Sequence, residues 1–251
     1  MRMQRFFLAL PVALAIVGGG AITAAAEPAY HPSQLTHLGQ AEQVIVVNAP
    51  RWSSTAGTLR TYERRGDGWI EVGSPTRALL GSHGLVIAAK RRQSTGTTPA
   101  GTFAIPTMFG RKPDPGTQMP YVQVDHNDAW TYNPKVPSTY NVFQTVDRGW
   151  YAYSYYVERL WEYGKQYDYV GVLDYNLPDG TITQGADGVN RTDAPANTKA
   201  GGGIFLHVSN GTRTAGCIAI RESRMRELTK WLNPDQHPRI VIGPTHALDR
   251  M

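Results

Sequence analysis

The sequence predicts a mainly β domain, a sandwich or flattened barrel with one or a few short helices. Three observations lead there. Short apolar and β-branched runs alternate with turn residues. Gly 26 and Pro 17 in 251 residues punctuate the chain too often for a helical bundle. One segment alone combines helical spacing with a start and a stop signal, and no fixed repeat recurs.

The elements follow in order. Arg2 and Arg5 precede an apolar stretch of 12 residues, Phe6 to Val17. Gly18–Gly20 interrupt it, and Ala24–Ala26 supply a small-residue cleavage pattern before Glu27. Residues 1–26 therefore read as a signal peptide cleaved near Ala26. Pro11 and the glycines fit poorly with an uncleaved anchor of about 20 apolar residues. Export to the periplasm or the extracellular cell wall follows, and the lack of a cysteine just after the segment argues against a lipid anchor. Residues 27–42, polar and holding Pro28, His31, Pro32 and His37, read as a linker.

The domain is expected over 43–243. Val44–Val47 is the first strand, and Thr58–Arg65 with Trp69–Val72 form a hairpin around Gly66-Asp67-Gly68. Gly84–Ala89, Thr102–Ile105, Tyr121–Val124, Tyr167–Tyr175, Gly203–Val208 and Cys217–Ile220 are further strands. A helix is predicted from Ser223 as cap to Asn233, with Met225, Leu228 and Trp231 on its apolar face and Pro234 beyond its end. Ile240–Gly243 is the last strand, and 244–251 a C-terminal tail. Trp130 to Tyr169 stands apart, with 13 of the 25 aromatic residues. Such a segment either packs as a Tyr-rich strand or walls a groove, with Trp150, Tyr151 and Tyr153 foremost.

Composition narrows the function. Hydrophobic residues at 41% and charged residues at 18% exclude a disordered chain. The net charge is +5; residues 1–26 hold two arginines and no acid, so the remainder carries +3. That charge suits an anionic surface and is too diffuse for nucleic acid. The histidines lack ligand spacing, so no metal is expected.

Cys217 is the one cysteine, so no internal disulfide forms, and a lone thiol in an oxidising compartment is either buried and inert or kept for chemistry. His207 ends an apolar strand nine residues upstream of Gly216-Cys217. Antiparallel neighbouring strands would bring the two side chains to one sheet edge, where the imidazole takes the thiol proton or holds the thiolate below its ordinary pKa of about 8.5. The N–H groups of Gly216 and Cys217 are oxyanion candidates, since glycine lets a substrate carbonyl approach the backbone. Arg213 and Arg221 flank the site as carboxylate partners.

Two blocks carry a resemblance. Gly96-Thr97-Thr98-Pro99-Ala100-Gly101-Thr102-Phe103 matches a G-x-T-P-x-G-x-F pattern, and Ile204-Phe205-Leu206-His207 precedes Thr214-Ala215-Gly216-Cys217 in the matching order. Trp69, Gly81–Gly84, Tyr140-Asn141 and Tyr167–Asn176 add weaker matches. The chain resembles an L,D-transpeptidase catalytic domain of the YkuD type, in the ErfK/YbiS/YnhG-like branch, over roughly residues 43–243. It departs from the usual S/T-H-G-C pattern in having Ala215, a short His–Cys gap, and Val208 after the histidine. The resemblance implies that Cys217 attacks a peptidoglycan stem peptide, D-Ala leaves with a proton from His207, and an amine or water resolves the thioester. It implies no cofactor, a monomer working at the cell-wall surface, an orienting role for the Val208 carbonyl and a substrate contact for Thr214. A sortase-like transpeptidase fits less well, because its His–Cys gap is far longer. A non-catalytic wall-binding module of the same fold is the alternative of another class.

Overall fold

The computed structural model describes residues 30–146 and 156–251. The expected signal peptide and Trp150, Tyr151 and Tyr153 lie outside them. Strands β1 (Gln43–Ala49), β2 (Ala56–Arg65), β3 (Gly68–Glu71), β4 (Thr76–Leu79), β5 (Leu85–Ile87), β6 (Thr98–Ala104), β7 (Thr107–Gly110) and β8 (Tyr121–Gln123) come first. Then follow β9 (Ala129–Thr131), β10 (Val142–Gln144), β11 (Val157–Arg159), β12 (Val170–Val172), β13 (Ile182–Gln184), β14 (Asn190–Thr192), β15 (Phe205–Val208), β16 (Ile218–Ile220) and β17 (Arg239–Pro244). One sheet runs β5-β6-β17-β1-β2-β4-β16-β15-β12-β7-β8, with β3 paired to β2. It folds over on itself: Ile45, Leu59 and Ile240 from one half share a core with Met108, Leu206 and Ile218 from the other. The mainly β expectation holds.

β1 explains what lies at the two ends of the chain. Val44–Val47 is apolar without alternation, and all seven residues of β1 are buried. Such a run needs cover on both faces. Ile45 and Val47 face the main core, while Val44 and Val46 pack with Leu38, Ala41 and Leu248. The expected linker and tail are therefore corrected. Residues 30–42 and the turn Thr245–Arg250 fold onto the outer face of β1 and β17, with Leu38, Ala41, Ala247 and Leu248 buried.

The single α-helix of the described residues, α1, spans Glu222–Trp231. Its cap is Arg221 rather than Ser223, because the Arg221 carbonyl accepts the first helical N–H, from Met225, at 3.0 Å. Met225 and Leu228 are buried in the main core and Trp231 is partly buried against it. The predicted strand at Tyr167–Tyr175 shrinks to β12. Ahead of it, Leu160–Tyr167 winds as 3-10 turns broken at Gly164, whose φ of 60° suits glycine.

The aromatic segment forms no single strand. β9 is the centre of a small sheet, β10-β9-β11. Trp130 of β9 packs against Phe109 and Phe205 at ring separations of 6.5 and 5.1 Å, on the far side of β15 from the main core.

Candidate active site

β15 divides its side chains between two surroundings. Leu206 and Val208 enter the aliphatic core; Phe205 joins Phe109, Trp130, Tyr167 and Cys217. His207 lies on the Phe205 face, its ring 5.6 Å from that of Tyr167. β16 pairs with β15 in parallel, Leu206 opposite Ile218 and His207 opposite Ala219. The antiparallel arrangement expected from sequence is corrected: residues 209–217 carry the chain back along β15 before β16 begins. Continuing the register sets Cys217 beside Phe205, one same-face position from His207. Strand spacing of about 4.8 Å and about 6.6 Å along the strand put their Cα atoms roughly 8 Å apart.

The returning loop is held by residues 80–82, with Thr98 of the first block behind them. Thr214 N–H donates to the Leu80 carbonyl at 2.9 Å, Ser82 N–H donates to the Thr214 carbonyl at 2.9 Å, and Gly81 bridges Thr214. Gly81 N–H in turn donates to Thr98 Oγ1 at 2.8 Å. Thr214 Oγ1 donates to the Cys217 carbonyl at 2.7 Å and accepts the Gly216 N–H at 3.1 Å. Two expectations change here. Thr214 turns inward as a clasp of the loop, away from the role of substrate contact. The Gly216 N–H is already used and is not an open oxyanion donor. Gly216 itself is required, since its φ is 148° and a Cβ would meet Arg91 Nη2 and the Thr97 carbonyl at 2.9 Å.

Cys217 is 8% exposed and His207 5%. The thiol donates to the Gly203 carbonyl at 3.3 Å. His207 Nδ1 donates to the Val208 carbonyl at 2.9 Å, which fixes the tautomer with its proton on Nδ1. Burial pushes the thiol up to about 12, and the Glu158 carboxylate adds to the rise; the Phe205 N–H and the Arg91 charge oppose them. Burial likewise lowers His207, against the pull of the Val208 and Gln166 carbonyls. The expectation of a thiolate lowered by His207 is therefore overturned. Both groups are neutral at rest, because a water-poor site disfavours an ion pair.

A cleft of about 150 Å³ opens over Cys217, walled by Gly201–Gly203, Arg91, Tyr132 and Glu158. Arg91 is 4% exposed; its Nε donates to the Thr97 carbonyl at 2.8 Å and its Nη1 to the Ala200 carbonyl at 2.9 Å. Asn141 steadies the glycine wall: its Oδ1 accepts Gly203 N–H at 2.8 Å and Trp130 Nε1–H at 2.7 Å. Among the described residues, Tyr132 and Glu158 are the contribution of the aromatic segment to this cleft. Arg221 is exposed and lines a second, open cleft with Arg77 and Ser209 beside Ala219; Arg213 is exposed on the loop.

Sequence reasoning missed Arg91, Asn141 as a support, and Glu158. Arg91 sits in the basic run Lys90-Arg91-Arg92, which reads as a solvated surface. Glu158 is one of two glutamates, with Glu162, in a Tyr-rich stretch, and nothing local sets it apart.

The family model of the YkuD L,D-transpeptidase catalytic domain matches residues 42–242. No curated protein and no solved structure matches the chain.

Proposed function

The chain belongs to the L,D-transpeptidase catalytic domain family, and from that premise we propose that it is an exported cysteine L,D-transpeptidase acting on peptidoglycan stem peptides. The observation that carries the reading is the Cys217 thiol at the floor of a glycine-walled cleft, on the same sheet face as a neutral His207. A stem carbonyl enters over Gly201–Gly203, between Arg91 and Glu158. The thiol turns from the Gly203 carbonyl toward His207 and gives up its proton as sulfur attacks. A C–S bond forms, the amide C–N bond breaks, and His207 passes the proton to the departing D-Ala amine. The Nδ1–H bond to Val208 keeps the ring oriented throughout and supports positive charge as it develops. Arg77 and Arg221, beside the register partner of His207, suit the carboxylates of a stem peptide. Export rests on Arg2, Arg5, the Phe6–Val17 stretch and Ala24–Ala26.

Incubation of the protein with a cross-linked tetrapeptide stem dimer, read by mass spectrometry, tests the assignment. Loss of D-Ala with a 3→3 cross-linked product or a trimmed tripeptide is expected. An unaltered substrate that still binds the protein would favour the non-catalytic wall-binding module.

A further inference from the structure

The mechanism above leaves the carboxyl group of the cleft, that of the partly buried Glu158, unused. Glu158, in β11, lines the cleft of Cys217, and its Oε2 accepts the Tyr167 hydroxyl in a short hydrogen bond. Its Oε1 lies 3.5 Å from where a Cβ would stand on Gly203, the residue whose carbonyl accepts the thiol. Carboxyl and thiol thus adjoin the same glycine, while His207 approaches Cys217 from along β15.

Resolving the thioester with an amine involves two protons. A lysine-like amine has a pKa of about 10.4 and arrives as an ammonium. When nitrogen attacks, the C–N bond forms and the C–S bond breaks. One proton returns to sulfur through His207, and the second needs another acceptor. We propose that Glu158 is that acceptor: it binds the ammonium of the incoming acyl acceptor and takes its extra proton, releasing it afterwards to water. This assignment rests on the transpeptidase reading and names the second substrate as a protonated primary amine rather than water.

The surroundings fit the task. Burial pushes Glu158 up to about 7, and the Tyr167 hydroxyl opposes that rise by stabilising the carboxylate. The titratable groups facing it are Tyr132 after β9, Tyr163 and Tyr167 from the 3-10 turns, and Cys217; Arg91 lies across the cleft. All three tyrosines are held above their ordinary value and stay neutral. In the free protein, carboxylate and thiolate disfavour one another.

Glu158→Gln keeps the shape and removes the base. The test loads the full chain with a tetrapeptide stem, then offers lysine amide acetylated at its α-nitrogen, whose one amine is protonated at neutral pH, or hydroxylamine, which is largely unprotonated there. The variant is expected to acylate at least as fast as wild type, since the lost carboxylate no longer disfavours the thiolate, and to react with hydroxylamine without loss. Its reaction with lysine amide falls about 10²-fold and loses the acid limb of the pH profile near 7. Tyr167→Phe, which retains the carboxyl but not its hydrogen bond, is expected to move that limb to higher pH. An equal loss with both amines, a loss confined to acylation, or no loss overturns the assignment. So does a wild-type thioester resolved by water alone. Failure of the wild-type protein to acylate at all would instead strike the transpeptidase reading itself, and this proposal with it.

Discussion

Leu206 and Phe205 are adjacent in one short strand and belong to different kinds of interior. On the Leu206 face, Ile45, Leu59, Ile218 and Ile240 are fully buried and aliphatic. Fully burying each such side chain is worth roughly 1.5–3 kcal/mol, so this face supplies stability. On the Phe205 face, aromatic rings surround Cys217 and His207, and Glu158 stands at its edge. Removing three ionisable groups from water costs stability, and what is gained is control of their protonation. The strand therefore separates fold from chemistry across its own thickness, and each side can be perturbed without the other.

The strongest way to break that division is a pair of neighbouring substitutions. His207→Gln is expected to lower the acylation rate by about 10²–10⁴-fold with little change in melting temperature. Leu206→Ala is expected to cost about 2–5 kcal/mol of stability, while the acylation rate per folded molecule changes little. Kinetics of acylation and thermal melts on both variants decide it. If each variant lost stability and chemistry alike, the two faces would be one unit.

Much of the stabilising side was legible in the sequence. Val44–Val47 and Ile240–Gly243 announce themselves as strands, and Gly66-Asp67-Gly68 marks the hairpin, because these signals are local. The chemical side was legible only at Cys217 and His207, through residue types and the order of two motifs. Its remaining parts come from long-range placement. The parallel pairing of β15 and β16 depends on where a nine-residue loop is clasped by Leu80 and Ser82. Arg91 and Glu158 approach Cys217 from elements far apart in sequence. The unbroken apolar pattern of β1 does signal cover on both faces, but not which segments supply it.

A second, intermediate effect concerns the thiol. Iodoacetamide alkylation of Cys217 in the folded protein is expected to climb with pH toward about 12, without levelling near the ordinary thiol value of about 8.5. Glu158→Gln removes a neighbouring negative charge and should shift the curve to lower pH. A plateau in the neutral range would mean that the site holds a preformed thiolate.

The smallest effect is on stability. Glu158 is raised from 4.5 to about 7 on folding, so the folded state favours its protonated form. Its contribution is fully present below the lower value and is lost as pH rises through the upper one. Glu158→Gln should therefore gain melting temperature relative to wild type between about pH 5 and about pH 8. A constant offset across that range would place the carboxyl in water.

The central claim is that the Cys217 sulfur carries the acyl group. Intact-mass analysis of the protein quenched in acid during turnover of a tetrapeptide stem, followed by peptide mapping, tests it directly. The account predicts one adduct of the stem minus D-Ala, located on the peptide containing Cys217 and absent from Cys217→Ala, which should remain folded and inactive. An adduct elsewhere, or D-Ala release that persists in Cys217→Ala, would contradict it.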